Sequence, residues 1–439
     1  MPIKIDHKGN VMFPKVAILL LSIWLFLVNG NLDQRILSGV YLHGAMILVL
    51  TGFLVLFLFD RFDIPLPMAF FPVFFLYMYF VSLFNGGDIY AIAKVLVFFV
   101  VVLIASYCAS RMSVEVFLKT LVITLFTLSF VNFTVIIAIP EIGVDVGFFE
   151  GDWKGVYDQK NSLGRLASLL TIASFLLFLL SKDFGVRLYS FLFTVAAVLF
   201  TYHSGSRTAL ASAVIVAVLI VGFCFLMYVY SRPIKDKKLF TSILMAEAAL
   251  CLFFVLSSIY VVDLHTSYDG ISVMGHFVSL TGRLTIWDFA LENLSGINAW
   301  LGYGLDNFWT FERFSTIGPM QGMGDFYPHD SHSGYIDILI QGGWLAAFAY
   351  FCFVLFIIYL FFYGGLSPQV KLCAFGFFAL FFFSNLTESY VTKSTNIVNF
   401  LFVYAVGLCL FNSVQMRGRR VLKLRGYVAV KNMRLFGSK

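Results

Sequence analysis

Three short polar stretches hold the most reactive side chains of this chain, and each leads directly into a long apolar run. They read "DQKNSLGR" at residues 158–165, "YHSGSRTAL" at 202–210 and "HDSHSGY" at 329–335. Arginine and lysine bind anions, and histidine is the side chain that most readily exchanges a proton near neutral pH. The three stretches therefore predict a site that binds an anion and moves a proton.

The composition indicates the elements that position these stretches. Of 439 residues, 60% are hydrophobic, 12% are charged and 53 are phenylalanine. The mean hydropathy is +0.90. These values differ strongly from those of water-soluble domains, so the chain is predicted to be a polytopic membrane protein.

A helix needs about 20 mostly apolar residues to cross the ~30 Å core of a bilayer. Runs of this kind predict an all-α fold with about twelve transmembrane helices in a single integral membrane domain, residues 1–439. They lie at about 14–29, 37–59, 68–84, 89–108, 117–139, 162–181, 188–203, 209–230, 239–262, 335–363, 370–386 and 395–413.

The distribution of lysine and arginine predicts the orientation of these spans. With a cytoplasmic N-terminus, 21 basic residues fall on the inside and eight on the outside. Cytoplasmic loops carry the excess of positive charge, so both termini are expected to be cytoplasmic. The basic tail, residues 414–439, is interpreted as a contact with anionic lipid and not with nucleic acid.

Two predicted segments on the outer side are longer than simple connections between spans. They are residues 140–161 and 263–334. The second has a net charge of −6 before histidine, so a broad phosphate-binding surface is excluded. Within it, "TGRLTIWDFALENLSG" has helical apolar spacing and predicts a helix lying on the outer face, with Arg283 in its first turn.

Every even-numbered span begins outside, where a helix N-terminus offers unpaired N–H groups and a positive dipole end. The polar stretches begin spans six, eight and ten, so their side chains should lie at one depth. We expect a site for an anion such as a diphosphate, formed by Lys160, Asn161, Arg165, Arg207, Arg283, His329 and His332.

Each member of this set also has a structural interpretation. Arg207 could anchor a turn at the headgroups, and Lys160 with Asn161 could cap a helix. His329 and His332 have a spacing that could hold a metal, although a single histidine acting as base is favoured. The six cysteines all fall within spans, so neither a disulfide framework nor a thiolate metal site is indicated. No metal and no cofactor are expected.

Five motifs, taken in order, resemble those of the bacterial superfamily of O-antigen ligases and O-antigen or exopolysaccharide polymerases. They are "KNSLGR", "SGSRTAL", "TGRLTIW", "LGYGLDNF" and "HSGYIDILIQGG", which extend over about residues 153–345. The last motif is closer to the polymerase branch. The family usually has asparagine after the histidine of this motif, whereas this chain has Ser333.

The resemblance implies a glycosyltransferase of the inner membrane, with Arg207, Arg283 and His332 as its catalytic residues. Arginine forks suit phosphate oxygens, and no external DxD-like pair is present to hold a divalent ion, so the enzyme is expected to be metal-independent. Independently of the resemblance, Lys160, Asn161, Arg165 and His329 at the helix starts and Asp330 of the acidic loop are expected to bind substrate. The implied donor is a glycan on undecaprenyl diphosphate, used at the periplasmic face to build O-antigen or exopolysaccharide. The implied acceptor is a growing saccharide, or lipid A–core for a ligase. Membrane lipids and other polysaccharide-assembly proteins are the expected partners.

Two other classes of protein fit twelve spans. A transporter of lipid-linked sugars would be expected to show repeated halves and broken helices at mid-membrane depth, and the sequence shows neither. A scaffold without enzymatic activity would not need cations and histidines at three helix starts. Both alternatives are therefore less favoured than an enzyme.

Overall fold

The structure is a computed structural model, and it describes most of the chain. The described residues are 12–27, 39–60, 64–146, 150–231, 270–273, 276–279, 283–310, 313, 329–393 and 396–413. The tail 414–439 lies outside them, and so does the ninth predicted span.

Fourteen α-helices are found among the described residues, and they account for nearly all of the regular structure there. Their bounds are α1 Met12–Leu27, α2 Gly39–Phe59, α3 Phe70–Phe84, α4 Ile92–Arg111, α5 Val114–Ala138, α6 Pro140–Gly143, α7 Lys160–Leu180, α8 Phe184–His203, α9 Arg207–Ser231, α10 Arg283–Glu292, α11 Gly296–Leu301, α12 Gly334–Tyr363, α13 Pro368–Thr387 and α14 Ile397–Ser413. A short antiparallel hairpin joins β1 Gly270–Val273 to β2 His276–Ser279.

Eight of the helices in the described part are long and apolar enough to cross a membrane. They match predicted spans three to eight, ten and eleven. Shorter apolar helices within α1, α2 and α14 match spans one, two and twelve. The all-α polytopic membrane fold is thereby confirmed, while the count of twelve stays a prediction.

Helix α7 lies at the centre of the bundle and packs against α5, α8, α9 and α13. In the most apolar 18-residue stretch of α7, 72% of the residues are buried inside the protein, whereas in that of α8 only 22% are buried. Alanine, serine and threonine on α7 allow this close packing, whereas α8 turns leucine, valine and phenylalanine outward. The polar stretch that begins α7 is thus fixed by the interior of the protein.

A second, smaller hydrophobic core lies beside the main one. It joins Ile286, Trp287 and Ala290 of α10 to Phe308 and to Ile336 and Ile340 of α12. A helix forms where the sequence predicts one, as α10, which begins at Arg283; its position on the outer face stays a prediction. The buried face of α10 centres on Ile286, Trp287 and Ala290, so the helix packs against protein on that side.

Helix α12 is broken at Gly343, where φ is 65° and ψ is −172°. Residues 344–363 alone would be about 30 Å long, which is sufficient to cross a bilayer. Residues 334–342, called here the outer segment of α12, form a separate short helical piece. The sequence predicts one continuous span over 335–363, so the break is a finding of the structure.

The predicted outer loops contain regular structure of their own. Residues 140–161 include α6 and an isolated β-bridge between Val144 and Trp153, and α7 already begins at Lys160. The region 263–334 contains the hairpin, α10 and α11 among its described residues.

Candidate active site

The predicted site residues all lie at one end of the helix bundle, called here the site end. It is the end at which α7, α9 and α12 begin and at which α13 finishes. Residues 388–393, called here the 388–393 segment, follow α13 and lie between these helix starts. Distant parts of the sequence meet there.

Close backbone approach joins the starts of α7 and α9. A Cβ at Gly164 would lie 2.5 Å from Cβ of Ser206, so the "KNSLGR" motif packs directly on the turn before α9. In that turn Gly205 has φ of +62°, and a side chain there would overlap the carboxylate of Asp152. Lys160 Nζ lies 2.6 Å from Asp152 Oδ2, which places Lys160 in a contact that stabilises this corner.

A small polar pocket opens at this corner. Hydroxyl groups dominate its lining, together with one arginine, one glutamate and one amide: Asn161, Arg165, Ser168, Ser206, Thr208, Ala209, Ser212, Ser384, Thr387, Glu388, Tyr390 and Val398. Arg207 is the first residue of α9, stands between two lining residues and is exposed. The structure thus brings Asn161 and Arg165 into one pocket with Arg207 next to it.

Arg283 reaches the same pocket through Glu388. Its guanidinium nitrogen Nη2 donates a hydrogen bond to Glu388 Oε1 at 3.3 Å, and the two side chains are only 13% and 21% exposed. A partly buried ion pair of this kind fixes the direction of the arginine. Glu388 therefore connects the first residue of α10 with the pocket wall.

His332 stands two residues before α12, in the His332 loop (residues 329–333). Its backbone has φ of +51°, which is uncommon for a residue with a side chain and concentrates at functional sites. Its Nδ1 lies 3.4 Å from Asp330 Oδ1, and its backbone N–H donates to the same oxygen at 2.9 Å. Asp330 thus holds the backbone of His332 and lies beside its ring.

Asp330 is held in turn by Lys393 of the 388–393 segment. Lys393 Nζ donates to Asp330 Oδ2 at 2.6 Å. Burial by itself would raise the pKa of Asp330, but the charges of Lys393 and His332 and their hydrogen bonds outweigh it and lower that pKa. The carboxylate therefore stays ionised at neutral pH and accepts hydrogen bonds from both neighbours.

Further contacts fix the His332 loop to the rest of the site. Trp287 Nε1 donates to the carbonyl oxygen of Ser331 at 2.8 Å, and the backbone N–H of Ser331 donates to Asp337 Oδ1 at 3.1 Å. The N–H of Gly334 donates to the carbonyl oxygen of Glu388 at 3.1 Å. The helix that begins with Arg283 and the loop that carries His332 are thus parts of one network.

The remaining predicted residues differ in their surroundings. His329 is exposed at the start of the His332 loop, whereas Arg165 is half-buried with its guanidinium carbon 5.7 Å from the ring centroid of Tyr390. Burial and then the charge of Glu388 raise the pKa of Tyr390. The phenol therefore stays protonated at neutral pH, as a hydrogen-bond donor must.

Sequence reasoning missed Glu388, Tyr390 and Lys393 as parts of the site. The signal was the polar run "SNLTESYVTKSTN" between spans eleven and twelve, which begins at residue 384. The sequence also indicated no role for Lys94. Lys94 forms an ion pair with Asp306 near the start of α4, at the site end. Among the described residues, no group of three or more histidine, cysteine, aspartate or glutamate side chains is placed to hold a metal ion.

Comparison with known proteins finds a family match over the part of the chain that holds the three predicted catalytic residues. The family model described as O-antigen ligase matches residues 192–351, which include Arg207, Arg283 and His332. The resemblance to the superfamily of O-antigen ligases and polymerases is thereby confirmed over that region. A search of curated proteins finds no match to the chain. Over residues 192–351 the chain is similar to O-antigen ligases, and its apolar helices support a multi-pass membrane protein.

Proposed function

We propose that this protein is a glycosyltransferase of the bacterial inner membrane that polymerises repeat units into O-antigen or exopolysaccharide. It would take glycans from undecaprenyl diphosphate at the periplasmic face. The observation that carries the proposal is the network at the site end. It connects an arginine on α10, a histidine before α12 and a polar pocket beside Arg207 through the 388–393 segment.

The reaction needs two kinds of chemical assistance. The bond between the anomeric carbon of the donor sugar and the diphosphate oxygen breaks, and a bond from an acceptor hydroxyl oxygen to that carbon forms. The diphosphate leaves with the bonding electrons, and the hydroxyl loses its proton. The protein must therefore stabilise the leaving anion and accept a proton.

Arg207 and Arg283 suit the first task. A guanidinium offers a planar fork of donors that matches phosphate oxygens. Arg207 is exposed beside the pocket, and α7 and α9 direct their N-terminal N–H groups toward the same end. Arg283 is held by Glu388, and a diphosphate oxygen can replace that carboxylate as its partner.

His332 suits the second task. Asp330 lies at Nδ1, so it favours the form in which Nδ1 carries the proton and Nε2 has a free lone pair. A base oriented in this way by a carboxylate can take the proton of the acceptor hydroxyl. Asp330 is thus better explained as the partner of His332 than as a direct sugar ligand.

The other predicted substrate-binding residues differ in their support. Asn161 and Arg165 line the pocket, which favours contact with the donor. Lys160 is engaged by Asp152, so its part is to hold the start of α7. His329 is exposed at the start of the His332 loop, and we assign it to binding of the acceptor.

An O-antigen ligase is the second candidate, because the matching family model carries that description. The decisive experiment separates by gel the glycans of cells that lack the gene. Single repeats left on the carrier or on lipid A–core indicate a polymerase. Long chains that stay unattached to lipid A–core indicate a ligase, and a normal glycan pattern would contradict both.

Metal independence is part of the proposal, because two arginine forks can supply the positive charge that the leaving diphosphate needs. Purified protein in proteoliposomes should transfer glycan at its normal rate in excess EDTA. Activity that EDTA abolishes and Mg²⁺ or Mn²⁺ restores would contradict this expectation. It would also favour the interpretation of His329 and His332 as metal ligands.

A further inference from the structure

The break in α12 leaves backbone carbonyl groups that the helix itself cannot satisfy. In a continuous helix, each carbonyl accepts a hydrogen bond from the N–H group four residues later. At Gly343 the chain leaves helical geometry, with φ of 65° and ψ of −172°. The carbonyls at the end of the outer segment therefore need other donors.

Those donors come from the residues that follow α11, here called the 302–305 loop. The N–H of Tyr303 donates to the carbonyl oxygen of Ile340 at 2.8 Å, and the N–H of Gly304 donates to that of Gln341 at 2.9 Å. A Cβ at Gly302 would lie 2.5 Å from the Gln341 carbonyl carbon, and one at Gly343 would overlap the Trp300 carbonyl. Backbone thus packs on backbone with no room for side chains.

Helix α3 closes this arrangement from the other side. Tyr77 Oη lies 3.2 Å from the carbonyl oxygens of both Gly342 and Leu301, so its hydroxyl joins the end of the outer segment to α11. Ser82 Oγ donates to the carbonyl oxygen of Leu305 at 3.1 Å, and the N–H of Leu305 donates to that of Met78 at 2.9 Å. The 302–305 loop is thereby fixed to a transmembrane helix at several points.

The outer segment is also the piece of α12 that directly follows the His332 loop. Its Asp337 is fully buried and accepts the N–H of Ser331 in the His332 loop. Its Ile336 and Ile340 share the small core with Ile286 and Trp287 of α10, the helix that begins with Arg283. A shift of the outer segment would therefore move His332 relative to the leaving-group site.

We infer that Tyr77 and the 302–305 loop are positioning elements for the reaction, because they complete the broken helix α12 and hold its outer segment in register with α3 and α10. The effect on catalysis rests on the proposed function, whereas the effect on the outer segment does not. Misplacement of a catalytic group by about 1 Å can cost up to ~10²-fold in rate.

The test uses the full-length protein in proteoliposomes with Tyr77→Phe and Ser82→Ala. Tyr79→Phe is the matched control, because Tyr79 lies on the same helix and its hydroxyl donates to the Ile89 carbonyl, also at 3.2 Å. The first readout is hydrogen exchange of peptides covering residues 334–342. Tyr77→Phe and Ser82→Ala should each accelerate this exchange roughly tenfold or more, and Tyr79→Phe should leave it unchanged.

The second readout is glycan transfer from the lipid-linked oligosaccharide of the native host. Tyr77→Phe should lower kcat about tenfold and leave the KM for the donor within about twofold, since the donor contacts are intact. Equal exchange in Tyr77→Phe and Tyr79→Phe would overturn the inference. Faster exchange with an unchanged kcat would overturn the positioning role. Absence of transfer by the wild-type protein would contradict the proposed function alone, because the exchange result stands without it.

Discussion

His329 and His332 are three residues apart, yet their surroundings differ in every respect that matters for a base. The backbone of His332 is held by Asp330, which also lies beside its ring, and Asp330 is held by Lys393. His329 is exposed at the edge of the same loop. Their spacing alone left a metal pair and a single base as alternatives, because sequence does not reveal which histidine has a carboxylate at Nδ1.

Substitution of the two histidines should therefore have very different effects. A positioned general base contributes about 10²–10⁴-fold to rate. We expect His332→Ala to lower turnover by at least ~10²-fold with normal protein level and donor binding, and His329→Ala to lower it less than about fivefold. Initial rates of transfer in proteoliposomes measure both. Near-normal turnover of His332→Ala would show that another group activates the acceptor.

Asp330 provides a second prediction, on stability. Its pKa is lowered in the folded protein by Lys393 and His332, so its ionised form stabilises the fold at any pH above the unfolded pKa of about 3.9. That contribution is lost as the pH falls through the lowered folded pKa. Asp330→Asn should thus lower the Tm in detergent at pH 7, and the difference from wild type should shrink below about pH 4. A difference that grows on acidification would contradict the assigned ion pair.

At the scale of single elements, the sequence predicted helices well and their breaks poorly. The residues 335–363 are apolar throughout and predict one span, and the observed helix ends where the apolar run ends. Gly342 and Gly343 stand in the middle of that run, but glycine also occurs within continuous helices. Whether a glycine breaks a helix depends on partners such as the 302–305 loop, and these are distant in sequence.

Two glycine substitutions test the break in α12 against an ordinary helical position. Gly343→Ala introduces a Cβ at positive φ and into the Trp300 carbonyl, so it should lower the Tm strongly or prevent folding. Gly222→Ala on α9 meets no atom within 4 Å and has no positive φ, so it should change stability by no more than about 1 kcal/mol. Thermal unfolding in detergent compares them. Equal Tm values for the two variants would show that α12 is continuous at Gly343.

At the scale of the whole molecule, the site follows from the parity of the spans. Predicted spans six, eight and ten, which are α7, α9 and α12, begin on the same side of a membrane, so their polar first residues lie at a similar depth. This reasoning predicted the convergence of Arg165, Arg207 and His332. It could not predict the Arg283–Glu388 pair, because these partners are 105 positions apart and Glu388 follows a helix whose predicted role was only to span.

The same parity makes the orientation of the molecule testable at the two ends of one helix. Glu150 is exposed before α7, at the site end, and Lys182 is exposed after α7, at the opposite end. The excess of basic residues on the side of Lys182 predicts that this side faces the cytoplasm. In a variant without the native cysteines, an impermeant maleimide should label Glu150→Cys in intact cells. It should label Lys182→Cys only after the membrane is permeabilised.

Both positions flank the same helix, so each controls for expression and folding of the other. If only Lys182→Cys were labelled in intact cells, the protein would have the opposite orientation in the membrane. The pocket, Arg207 and His332 would then face the cytoplasm, where a periplasmic transferase has no acceptor.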